Sequence, residues 1–292
     1  MAEKFNIYDM VTDRILVMLD NGIIPWQRPW TGSSLCIKRR DGKPYSFINQ
    51  LLLSPDFDGT EESLNHGEFA TFNQIKAEGG KLKKGSKGFR VVFYSPYVIK
   101  EKDEKGEEVE KTIPLLKYYT VFNIKDTDLE PKWSKERVAI AEPSEEAENI
   151  LTKYWSDEKI KVKRDNLSNR ACYSPALDMI TLPKIEQFED TAEYYSTAFH
   201  ESVHSTGAQN RLARKLATHF GSTDYSKEEL IAEIGASALV SICGLETAGS
   251  FKNNVAYIQS WRNVIAKDNR LIVSATGKAE KAVERILNPV AI

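Results

Sequence analysis

The chain opens with apolar residues at helical spacing: Tyr8, Val11, Ile15, Met18 and Leu19 recur every three or four positions. Asn21-Gly22 then closes the turn, and the spacing predicts a first helix. "PWQRPW", with two prolines and two tryptophans, forbids a regular helix next, and "KPYSFINQLLL" begins a second one. "TFNQIKAEGG" reads as a short helix stopped by glycine. From Arg90 to Lys100 the pattern turns β-prone, and "LLKYYTVFNI" reads as the return strand. Between these, "EKDEKGEEVEK" is charged and poor in apolar residues, which predicts a solvated hairpin loop.

After a polar stretch broken by Pro131 and Pro143, the pattern becomes mainly helical. Ser144 is placed as the cap of "PSEEAENILTKYW", and "ACYSPALDMITLP" alternates as two short strands about a turn. "DTAEYYSTAFHESVHSTG" is a helix with Asp190 and Glu193 in a capping-box pattern. "YSKEELIAEIGASALVSICG" forms another, and the chain after Asn253 supplies two more. The expected architecture is α+β: residues 1–128 as one domain with an antiparallel hairpin, 129–143 as linker, and 144–292 as a mainly helical domain with a small sheet.

Composition adds few constraints. The 292 residues suggest about two domains, and 41% hydrophobic against 28% charged residues allows real cores. A net charge of −2 gives no general attraction for polyanions, so a nucleic-acid site requires a local basic patch. Cys36, Cys172 and Cys243 are far apart and form no disulfide framework, which points to a reducing compartment. Cys172 and Cys243 are expected as buried small hydrophobes, and Trp261 as core. With neither a signal segment nor an apolar run long enough to cross a membrane, the expectation is a cytoplasmic protein without membrane contact.

The chemistry lies in "FHESVHSTG". His200 and His204 are four residues apart, so on a helix they share a face and can offer imidazole nitrogens to one ion. Glu201 lies about 100° around the helix, beside such an ion, where it can take a proton from water. A catalytic zinc usually takes a third protein ligand. Glu228, Glu229, Glu233 and His219 are candidates; Glu229 is preferred, with Glu233 next or as support behind a ligand. A Ser226–Glu229 capping box is the competing role for Glu229.

The basic residues cluster separately. Lys76, Lys81, Lys83, Lys84, Lys87 and Arg90 face one acid, Glu78, and "CIKRRDGK" adds Lys38, Arg39, Arg40 and Lys43. Trp26, Trp30, Tyr45, Tyr118 and Tyr119 are the aromatics near these clusters in sequence. Cations with stacking aromatics are what sequence-tolerant single-strand binding uses. Tyr118 and Tyr119 point to opposite faces of a strand, so one of them, taken as Tyr119, would face the ligand.

"HESVHSTG", "NRLAR", "FGSTDYSKEELIAEIGA" and "NNVAYIQSW" resemble the metallopeptidase domain of ArdC-type antirestriction proteins. "IIPWQRPW", "GKPYSFINQLLL", "ATFNQIKAEGGKLKKGSKGFRVVFY" and "LKYYTVFNI" are similar to that family's N-terminal domain. The resemblance implies a single-stranded-DNA-binding module joined to a zincin-like domain on a plasmid or other mobile element, shielding incoming DNA from host restriction. It also implies that Glu229, the first Glu of an ExxAxxxA helix, is the third zinc ligand. "YSPALDMITLP" would be the edge strand along which an extended peptide substrate, as yet unidentified, lies. The alternative is a DNA-binding, nuclease-blocking protein whose metal site is structural or inactive.

Overall fold

The computed structural model describes residues 6–21, 24, 26, 37–53, 67–102, 108–133, 143–165, 171–188, 191–216, 223–245 and 255–290. Its first half contains α1 (Ile7–Asp20), β1 (Lys38–Arg39), α2 (Phe47–Leu53), β2 (Glu68–Thr71), α3 (Phe72–Ala77), β3 (Phe89–Lys102) and β4 (Glu108–Asn123). The second half contains α4 (Pro143–Asp157), β5 (Lys161–Asp165), β6 (Cys172–Ser174), β7 (Met179–Pro183), α5 (Thr191–Ser205), α6 (Thr223–Ile242), α7 (Val255–Lys267) and α8 (Leu271–Leu287). The architecture is α+β, as the apolar pattern predicts.

Four strands form a sheet in the order β1-β2-β4-β3, with β1 parallel to β2 and the rest antiparallel. Val91 and Val92, neighbours on β3, bury into different cores on the two faces of this sheet. The hairpin runs further than the sequence suggests. Its strands pair out to Lys102↔Glu108, so most of the charged stretch expected as loop is strand. In this register Lys100 stands opposite Glu110 and Lys102 opposite Glu108.

The second sheet has the order β5-β7-β6, with β5 parallel to β7 and β6 as an edge strand among the described residues. β5 was not anticipated, because "KVKRD" reads as polar surface. Two local expectations also change. α4 starts at Pro143 and not after Ser144, since proline's fixed φ suits a first helical position. Cys172 is exposed on the edge strand β6, while Cys243 is buried as expected.

One apolar core runs from α1 to α8 and joins both halves. Trp26 is fully buried, with its ring edge-on to Trp261 at 5.2 Å between centroids, and Ser237 Oγ donates to its carbonyl. Arg262 on α7 pairs with Asp20 at the end of α1, and Thr12 donates to the Asn269 carbonyl. The first-half helices α1 and α2 therefore pack as part of the second half's core.

Candidate functional site

α5 and α6 cross closely because their contacting side chains are small. A Cβ placed on Gly235 would stand 2.8 Å from Val203 Cγ2, and Ala232 and Ala236 flank it in the buried face. Val203 lies between His200 and His204, so this contact lowers the acidic face of α6 directly onto the two histidines. From behind, α4 fixes α5 through Trp155 Nε1 donating to Ser202 and the Tyr154 hydroxyl on Ser205.

The result is a cluster of three donors, one each from His200, His204 and Glu229. His200 Nε2 lies 3.1 Å from His204 Nε2; Glu229 stands 3.3 Å from His204 Nε2 and 3.5 Å from His200 Nε2. Three ligands on a tetrahedral ion about 2.0–2.1 Å away are separated by ~3.3 Å. The two nitrogens stand close to that spacing, and the Glu229 carboxylate meets them with one oxygen each, Oε1 at His204 and Oε2 at His200. The residues present fit the group.

The outer nitrogens are held as well. His204 Nδ1 lies 3.3 Å from Glu228, and His200 Nδ1 lies 3.5 Å from Glu233. Carboxylates behind each ring fix the Nδ1–H tautomer and turn Nε2 toward the cluster. Glu228 is itself gripped by Arg214, whose Nη2 and Nε donate to it at 2.7 and 3.1 Å. Arg214 also donates to Thr206 and to the Val203 carbonyl, so the chain leaving α5 is tied to the same point. Burial opposes a charged His204, but Glu228 and Glu229 prevail and push its pKa up to about 10 in the metal-free site. The Glu229 carboxyl, despite burial, is driven well below its ordinary range by both histidines, whereas burial raises that of Glu233.

Glu201 is buried beside this cluster, and its Oε2 accepts the Tyr173 backbone N–H at 2.7 Å. Tyr173 belongs to the edge strand β6, so the carboxylate is moored to that strand. The Tyr173 hydroxyl donates to Asp178, which Arg211 grips through both terminal nitrogens. Arg211 also donates to the Ser205 carbonyl at the end of α5. The β6–β7 turn and the metal-cluster helix are thus locked to each other.

Ser226 lies inside α6, which begins at Thr223, so the Ser226–Glu229 capping box does not form. His219 lies outside the described residues. The contribution of Arg214 was not anticipated. Glu228 stood among the candidate ligands, yet its oxygen meets the outer nitrogen of His204, a difference that adjacent glutamates do not reveal in sequence.

The basic and aromatic candidates separate more sharply. Trp26 is fully buried against Trp261 and offers no face to a base. Arg40 is also unsuited to phosphate: it is 7% exposed and committed to Glu68 and Glu78. Both corrections share one cause, since these residues join the first-half elements to one another and to the core. Trp30 lies outside the described residues. Lys38 and Arg39 are half-buried, with Lys38 over the Trp133 ring and Arg39 paired with Asp41. Lys43, Lys81, Lys83, Lys84 and Lys87 are exposed. Tyr119 is half-buried against Phe93, while Tyr118 is the more exposed ring and lies under Arg90.

Residues 5–122 match the N-terminal domain of anti-restriction factor ArdC, and residues 145–278 match a zincin-like metallopeptidase domain. Two Escherichia coli proteins named DNA primase TraC are 33% and 30% identical over 98% of this chain. The chain spans only 28% and 20% of their respective lengths. The Mn(II)-bound crystal structure of the antirestriction ArdC protein from plasmid R388 superposes with a TM-score of 0.75 at 32% identity, covering 97% of each chain. Among the described residues no helix is long and apolar enough to cross a membrane. Both matches in order, and a structural likeness over nearly the whole length, make this chain a member of the ArdC-type antirestriction family with a zincin-like metallopeptidase domain.

Proposed function

We propose that the protein is a zinc-dependent peptidase coupled to a single-stranded-DNA-binding module, and that it protects incoming DNA of a mobile element from host restriction. The working division is 1–128 for DNA binding, 129–143 as linker and 144–292 for the peptidase. The observation that carries the reading is the donor set of His200, His204 and Glu229 at 3.1–3.5 Å, with Glu201 buried alongside. Zinc is favoured over magnesium or calcium because two imidazoles join one carboxylate, a nitrogen-rich set. A bound zinc ion would supply Lewis acidity and a nucleophile at neutral pH.

The chain's own groups perform the remaining work. Glu201 accepts a proton from water and returns it to the leaving amine. Its link to the Tyr173 N–H fixes the carboxylate orientation for that transfer. β6, the edge strand of this sheet among the described residues, aligns an extended peptide by strand addition beyond the Tyr173 N–H that Glu201 takes. On the DNA side, Lys81, Lys83, Lys84 and Lys87 form the exposed basic loop, with Lys38, Arg39 and Lys43 at its margin. Tyr119 remains the stacking candidate, and the exposed Tyr118 is the alternative the hairpin offers.

The test is a Glu201→Gln variant in a transfer assay, moving unmodified DNA into a restricting host. Loss of protection with single-strand binding and metal content intact supports the peptidase. Protection at the wild-type level would assign the function to DNA binding alone.

A further inference from the structure

Beside the histidine cluster, a cavity of about 550 Å³ opens between α6, α8 and the segment following α5. Its lining holds five basic side chains against two acidic ones, Asp224 and Glu228. A second hollow of about 210 Å³ shares Lys227, Ile231 and Lys278 with it and adds Arg270, so the two form one groove. Arg270, the cap residue before α8, and Ser274 and Lys278 on that helix follow one another four residues apart, then Lys281 three further on. That spacing makes a single stripe with a rise of about 6 Å per four-residue step.

Most charges here are already balanced. Arg214 is consumed by Glu228, Lys215 pairs with Asp224 at 2.7 Å, and Lys227 pairs with Asp268 at 3.0 Å. Lys278 and Lys281 are exposed and have no ion pair among the described residues. A concave site with two surplus ammonium groups, in a chain whose net charge is −2, concentrates anions locally. Besides these ammonium groups the groove holds the Arg270 guanidinium, which lies over the Tyr8 ring and has no carboxylate partner among the described residues. Ammonium and guanidinium groups together are donors that bind phosphate. Leu212 and Ile231 in the larger hollow, and Leu271 and Ala275 in the smaller, supply apolar surface for a sugar or base. The volume falls within the ~300–1,000 Å³ range of small-molecule sites.

We propose that this groove is a phosphate-binding site for a nucleotide or for the phosphodiester backbone of a nucleic-acid strand. It is separate from the basic loop of the first half and does not depend on that loop binding DNA. The experiment is calorimetric titration of the whole protein with sodium phosphate, dTMP and a short thymidine oligonucleotide at low salt. A Lys278→Glu/Lys281→Glu variant should weaken dTMP binding by at least about tenfold, since it reverses the surplus charge. Asp224→Asn, which releases Lys215, should tighten binding. Binding that persists in Lys83→Ala/Lys84→Ala and in His200→Ala places the phosphate in this groove and at neither the loop nor the metal.

The source follows from comparing the ligands. In the Lys83→Ala/Lys84→Ala background, equal affinity for dTMP and the oligonucleotide identifies a free nucleotide, whereas tighter oligonucleotide binding with a steeper salt dependence, lost on adding Lys278→Glu/Lys281→Glu, identifies a strand. The proposal fails if the wild type binds none of the three. It also fails if the Lys278→Glu/Lys281→Glu variant binds dTMP and the oligonucleotide as the wild type does.

Discussion

At the scale of single residues, the cluster depends on the groups that hold its histidines. Glu228 stands between His204 and Arg214, so replacing it with Gln keeps a hydrogen-bonding atom but removes the charge that supports the imidazole. Losing such a supporting carboxylate typically costs 10–100-fold in metal affinity, and competition against a chromophoric chelator should show a loss in that range for Glu228→Gln. Away from the cluster, Arg40 and Lys132 hold the Glu78 carboxyl down to about 2. A folded-state pKa below the unfolded value contributes stability that is present above pH ~4.5 and lost as pH falls toward 2. Urea titrations across that window should show the wild type weakening, and Glu78→Gln, already lacking the pair, weakening less. The histidine spacing was legible because a helix converts four residues into one face. Burial of Arg40 was not, because its acidic partners lie 28 and 38 residues away.

At the scale of elements, the approach of α5 to α6 decides whether the donors meet. Gly235→Ala puts a methyl 2.8 Å from Val203, and neither rigid helix has a flexible side chain there to yield. Overpacking of this kind costs about 1–3 kcal/mol. Thermal unfolding should show that loss, and Val203→Ala in the same chain should recover part of it by opening the space. Recovery below the sum of the single effects reports the contact itself. Helices with a clear apolar stripe, α1 and α8 among them, were readable from period alone. β5 was hidden by its lysines, and the hairpin's extent by the charged residues of its outer part, because a pattern along one strand does not disclose its partner.

At the scale of the whole molecule, the two sequence halves share one core. Trp26 comes from the first half, and its ring is buried on Trp261 of the second. Removing a buried tryptophan costs about 3–5 kcal/mol. Trp26→Ala should therefore lower the unfolding midpoint of the entire chain in one transition, observed equally by tryptophan fluorescence and by far-ultraviolet circular dichroism. Two separated transitions would mean the halves fold independently. The sequence marked both halves as α+β and helical but could not show that α1 and α2 complete the second half's core. An apolar helix face records that it is covered without recording by what.

The central claim is that His200, His204 and Glu229 together hold a divalent metal ion. Elemental analysis of the purified protein, for the wild type, His204→Ala and Glu229→Ala, tests it most directly. The account predicts about one zinc per chain in the wild type, by analogy with catalytic sites of this donor set, and loss of the metal in both variants. Full metal content in Glu229→Ala, or no binding by the wild type even when zinc is added, would contradict it.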